Sequence, residues 1–182
     1  MKLGNFLFTA LSLLLFFPYV GLYSFGTDIQ PWFILVAVGV FVLSFKRHLN
    51  IYLAFLAIPF VVSLALLLVG NELFNSARSV LGYLTIFLAP WITLLLLNEN
   101  KARFIRILRI SSYVYLFVAL VQLALDPQFL TQFLNRSSTT IQRGVVSLTP
   151  EPTFYGLVCL FFILALSVDN IHTKSIKISL LK

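Results

Sequence analysis

Apolar residues run through this chain in six long stretches, about residues 3–25, 29–45, 51–69, 78–97, 108–125 and 153–169, parted by polar gaps. Each is close to the roughly 17–25 residues that an α-helix needs to cross a bilayer. The pattern predicts an all-α fold, a polytopic helical membrane protein with about six transmembrane helices. The second stretch is the shortest case. It opens at Pro31, a favourable first-turn residue, and Lys46 and Arg47 stop it after about four turns, with snorkelling of their side chains making up the length. Pro18, Pro59 and Pro90 fall inside apolar stretches, where each removes a backbone hydrogen bond and predicts a kink. A kink at Pro90–Trp91 is placed to shape a cavity.

Composition agrees with a bilayer as solvent. Of the 182 residues 60% are hydrophobic and only 10% charged, and the mean hydropathy is +0.99. A soluble domain carries about a quarter charged residues. The net charge of +7 does not point to nucleic acid, because no basic stripe interleaves with exposed aromatics; basic loops facing anionic lipid account for it. Cys159 is the single cysteine and sits in an apolar stretch, where packing is its expected role. Lys2 followed by apolar residues resembles a secretory leader. The stretch is long, however, Pro18 interrupts it and no small-x-small site follows, so an uncleaved helix is expected.

Charge then orients the helices. Lys2, Lys46, Arg47, Lys101, Arg103, Arg106, Arg109, Lys174, Lys177 and Lys182 fall in alternate gaps, and Lys and Arg are enriched on the cytoplasmic side. Both termini are therefore expected in the cytoplasm, in a multi-pass protein of the cell inner (plasma) membrane. The exceptions are Arg78, Arg136 and Arg143, which this topology puts outside with Asp28, Glu72, Asp126 and Glu151.

Within a single membrane domain spanning 1–182, the segment 126–152 is set apart as a long external or periplasmic loop, and loops of that length are usually functional or disordered. It opens with Asp126-Pro127, a helix-start signal. From Gln128 to Leu134 the aromatics and leucines recur at i, i+1, i+4 and i+5, one apolar face suited to the membrane interface. A polar stretch, Asn135 to Thr140, follows. Arg143 precedes a glycine, which lets the backbone turn tightly or approach a ligand. Glu151 lies between two prolines, just before the last apolar stretch, where a helix dipole favours negative charge. Glu151 is open to three readings: it caps that helix, it pairs with Arg143 to order the loop, or it handles substrate.

The stretch Arg143-Gly144-Val145-Val146-Ser147-Leu148-Thr149-Pro150-Glu151-Pro152-Thr153-Phe154-Tyr155-Gly156 resembles the arginine–glycine, Glu-Pro-Ser/Thr and small-residue pattern of the O-antigen polymerase and O-antigen ligase superfamily. The resemblance implies a glycosyltransferase of lipopolysaccharide and polysaccharide biosynthesis. Such a protein takes glycans from a polyprenyl diphosphate carrier on the periplasmic face and transfers them to an acceptor. By that resemblance Arg143 and Glu151 are the catalytic candidates. Arg143 would bind the diphosphate or stabilise it as it leaves, since arginine's planar fork suits phosphate oxygens. Glu151 would orient Arg143 or contact the acceptor hydroxyl. Arg136 and Arg78 are weaker substrate-binding candidates. The implied partners are a polyprenyl-diphosphate-linked oligosaccharide, membrane lipid and other membrane proteins of polysaccharide assembly. No cofactor is implied, and no metal, because no carboxylate or histidine neighbours Glu151 to complete a site.

The chain also departs from that family. Members usually have about ten to fourteen membrane helices and a later, larger periplasmic loop with basic residues and often a histidine. Here the only histidines, His48 and His172, are expected in the cytoplasm. The sequence stops soon after the sixth stretch, which suggests the N-terminal part of a larger protein, inactive alone. Two alternatives stand beside the polymerase reading: a small non-catalytic membrane protein, and half of a transporter or flippase for a lipid-linked solute. Transporters more often place ionisable groups inside their spans, and these stretches hold almost none.

Overall fold

The computed structural model describes residues 3–21, 31–44, 51–69, 73–134 and 144–180, and these are mostly helical. Five helices follow in order: α1 (Asn5–Phe16), α2 (Trp32–Ser44), α3 (Ile51–Val69), α4 (Leu73–Ala124) and α5 (Pro152–Leu180). A 3₁₀ turn, Thr131–Phe133, follows α4. Among the described residues there is no β-strand, only an antiparallel bridge between Val20 and Leu134. Among the described residues, two segments are long and apolar enough to cross a membrane, Ser79–Ala124 within α4 and Pro152–Asn170 within α5.

The first apolar stretch does not form one long helix. Proline disfavours helical geometry in the residue before it, and Phe17 duly leaves the helix at φ −119°, ψ 57°. Pro18 therefore ends α1 rather than kinking it. At 12 residues, α1 is about 18 Å long, short of the roughly 30 Å hydrocarbon core. The chain turns away at Val20 and Gly21, where the Gly21 N–H donates to the Phe133 carbonyl at 3.0 Å. Pro59 and Pro90 do lie inside helices, α3 and α4.

Helix α4 has 52 residues, far more than the roughly 17–25 that one bilayer crossing needs. It is broken at Asn100, whose φ −157° and ψ 85° are not helical. The Asn100 side-chain oxygen accepts the Arg103 N–H at 3.0 Å, capping the second limb at its third residue. The polar gap expected at 98–107 is thus helical on both sides of one capping residue. Glu99, Lys101, Ala102, Arg103 and Arg106 are all good helix formers, so polarity here marks a change of surroundings and not the end of a helix.

The chain divides into two compact units, Met1–Pro18 with Gln30–Phe104, and Tyr19–Ile29 with Ile105–Lys182. In the first, α1 buries Phe8, Leu11, Ser12 and Phe16 at helical spacing, and the Ser12 hydroxyl is satisfied by the Phe8 carbonyl at 2.8 Å. Phe41 of α2 meets Phe87 and Trp91 of α4 edge-on, at centroid distances of 5.4 and 4.9 Å. Such pairs contribute about 0.5–1.5 kcal/mol beyond burial.

The start of α1 is tied to the Asn100 cap region by two charged side chains. Glu99 accepts the Leu3 N–H. The Arg103 guanidinium donates to the Asn5 side chain, to the Asn5 carbonyl at 3.1 Å and to the Thr9 hydroxyl at 2.9 Å, and lies 5.1 Å from the Phe8 ring centre. Arg103, read from sequence as an orienting charge, is a clasp. A planar fork makes these several contacts and an ammonium cannot. Arg103→Lys should lower stability by about 1 kcal/mol and Arg103→Ala by about 2 kcal/mol, read as a graded fall in the thermal unfolding temperature in detergent; equal temperatures for all three proteins would remove the clasp.

In the second unit the C-terminal limb of α4 presents Leu108, Ser111, Tyr115, Val118 and Gln122 as one buried seam, at alternating spacings of three and four. Tyr115 packs on Phe162 of α5, with ring centres 5.6 Å apart. Between Phe154 and Val168, α5 also exposes a run of large apolar side chains, including Leu157, Leu160, Phe161, Ile163, Leu164 and Val168.

Candidate functional site

Residues 144–151 approach α5 without helix or strand, so their peptide groups must find partners elsewhere. Val146, Ser147, Leu148, Thr149 and Pro150 are nevertheless buried. Two residues make the path possible. Gly144 has φ 91°, a conformation that is nearly free for glycine alone. Ser147 has φ 52°, which costs a side-chain-bearing residue on the order of 1–3 kcal/mol.

Gln122 holds Ser147 in that conformation. Its side-chain oxygen accepts the Ser147 N–H at 2.7 Å, while its amide nitrogen donates to the carbonyls of Ser147, at 3.1 Å, and Phe129, at 2.8 Å. Both amide protons are thereby used. The Ser147 hydroxyl donates to the Tyr115 carbonyl at 2.7 Å. At about 1 kcal/mol net per bond, the three bonds to Ser147 are comparable with its backbone strain. Thr149 braces the next turn: its N–H donates to the Val146 carbonyl at 3.1 Å, and its hydroxyl lies 2.7 Å from that carbonyl and 2.9 Å from the Glu151 carbonyl.

Glu151 then opens α5. Its carbonyl accepts the Tyr155 N–H at 3.2 Å, and Pro152 occupies the first helical position, where a missing N–H costs nothing. The Glu151 side chain is half-buried at the mouth of the braced segment, where the helix dipole favours its charge. Phe154, one turn in, packs on Tyr19 with centroids 5.7 Å apart.

Of the candidates read from sequence, Glu151 alone has a described side chain. Arg136 and Arg143 lie outside the described residues, and Arg78 is on α4 with its side chain outside them. The apolar face expected over 128–134 is a turn and not a helix. Leu130 takes φ 61°, and Asp126 accepts the Gln128 N–H at 2.9 Å. Among the described residues no three His, Cys, Asp or Glu side chains are grouped to hold a metal ion. Ser111 Oγ and Trp91 Nε1 are buried without a hydrogen-bond partner.

Gln122 and Tyr115 had no part in the sequence reading, and Ser147 entered it only as a member of the Arg143–Gly156 stretch, with no role of its own. One signal was available: Gln122 is the lone amide of the apolar stretch 108–125, near its C-terminal end, and polar groups inside apolar segments are expensive and seldom idle. Gln122→Leu keeps the bulk but strands one N–H and two carbonyls. It should destabilise the protein by about 3 kcal/mol or more, whereas Gln122→Asn should cost nearly as much through lost reach. Thermal unfolding of the variants checks this, and a leucine variant as stable as wild type would show that the segment is held by packing alone.

Comparison with protein-family models, with characterised proteins and with solved structures gives no match.

Proposed function

We propose that this chain is a multi-pass inner-membrane protein of the polysaccharide polymerase and ligase kind, with its longer apolar helices crossing the bilayer and both termini in the cytoplasm. In this reading the segment before α5 faces the periplasm and receives a glycan carried on polyprenyl diphosphate. The observation that carries the proposal is the braced, non-helical segment Gly144–Glu151, which belongs to the arginine–glycine…Glu-Pro-Thr stretch and presents Glu151 at the start of an apolar helix. A scaffold that spends three hydrogen bonds on one strained serine suits a site that must hold a shape.

Arg143 supplies the charge complementary to the diphosphate, and its planar fork suits two-point contact with phosphate oxygens. Glu151 orients that arginine or the acceptor hydroxyl. A second reading has its own support: the described hydroxyls of the segment, Ser147 and Thr149, donate to the protein's own carbonyls, which is also what a purely structural plug requires.

Binding separates the two. A photoactivatable polyprenyl-diphosphate glycan should label the protein in nanodiscs. Arg143→Ala should lower that labelling about tenfold or more, the scale of a charged hydrogen bond, and Glu151→Gln should change it less. Labelling that is weak in wild type, or untouched by the arginine substitution, would leave the structural plug. The orientation has its own check. Single cysteines at Ser138 and Ser175, in a Cys159→Ser background, should react with an impermeant reagent from outside and only from inside, respectively. The reverse pattern would move Arg143 to the cytoplasm and end the proposal.

A further inference from the structure

The C-terminal limb of α4 carries a face that the seam of the second unit does not use. Arg106, Arg109, Tyr113, Phe117 and Leu120 recur at spacings of three and four, which puts them on one side of a helix. All five are exposed, with Tyr113 and Phe117 each at 61%. The order along the axis is two cations, a tyrosine one turn on, and then only apolar groups. That is the order of a bilayer half, from headgroup phosphates through the interfacial aromatic layer to hydrocarbon.

The ends of this face agree. No acidic residue lies between Glu99 and Asp126, so nothing in that stretch of sequence neutralises the arginines. From Ile110 to Ala124 the limb rises roughly 21 Å, most of a hydrocarbon core, and the arginine stems extend its reach. Asp126 is exposed beyond the other end. Helical continuation through the polar gap is what aligns Arg106 and Arg109 with the apolar face.

We infer that Arg106 and Arg109 form a binding site for the headgroup phosphate of an anionic phospholipid, whose acyl chains lie along Tyr113, Phe117 and Leu120. Charge complementarity selects the lipid class. The apolar continuation distinguishes a lipid from free phosphate, which would use the arginines alone. The site is independent of any glycan chemistry, so its test and that of the proposed function fail separately.

The test is competitive retention. Purified protein in detergent is mixed with equal amounts of phosphatidylglycerol and phosphatidylcholine of identical chains, and the lipid retained is measured by mass spectrometry. Wild type should enrich phosphatidylglycerol, and each of Arg106→Gln and Arg109→Gln should lower the enrichment about fivefold. High salt should abolish it in wild type, a measurement that needs no variant to fold. Excess inorganic phosphate at matched ionic strength should leave the lipid bound. Equal retention of the two lipids by wild type, enrichment unchanged in the double variant or in high salt, or displacement by phosphate would each overturn the assignment.

Discussion

The two-point hold of the Gln122 amide on Ser147 is the contact on which the second unit depends. A peptide group in apolar surroundings has no water to fall back on, which is why irregular backbone at membrane depth survives only where protein satisfies it. Residues 146–150 are buried and irregular, and a single side chain one long segment away in sequence supplies the N–H acceptor and a carbonyl donor that a helix would have supplied locally. The same amide reaches Phe129, so one residue ties both ends of the connection between α4 and α5. Ser147 is bent into left-handed geometry, and the bend lets its hydroxyl close on Tyr115. Strain and hydrogen bonding are here two sides of one arrangement.

The first unit solves a related problem at helix ends. The first N–H groups of a helix have no partner within it. Asn100 answers this with its own side chain, and Glu99 and Arg103, on either side of the break, both turn to the first residues of the chain. A charged cluster read from sequence as a topology marker thus has local partners in the fold. Arg103 joins α1 to the cap while Arg106 and Arg109, three and six residues on, face outward. Helical register alone divides one basic cluster into a clasp and an exposed face.

The braced segment gives the chemistry of the proposal a physical setting. Glu151 stands where buried loop becomes apolar helix, with its charge favoured by the dipole of α5 and its backbone held by Thr149 and Tyr155.

The order of apolar and polar residues marked stretches at about 29–45, 51–69, 78–97, 108–125 and 153–169, and the described residues of each are mostly helical, because helix formation and hydropathy are both local properties read within a few turns. It was also enough to mark Pro59 and Pro90 as internal prolines and Glu151 as a helix-opening residue. It misjudged Pro18, where a single φ restriction outweighed a long apolar run, and the gap at 98–107, where polar residues happened to be strong helix formers. It had no means of seeing Gln122 on Ser147, Arg103 on Asn5 and Thr9, or Gly21 on Phe133. Those contacts join positions far apart in sequence, and no periodicity within either partner encodes the other. Secondary structure was legible because its hydrogen bonds close over four residues; the site was decided by tertiary structure because its hydrogen bonds close over 25 and more.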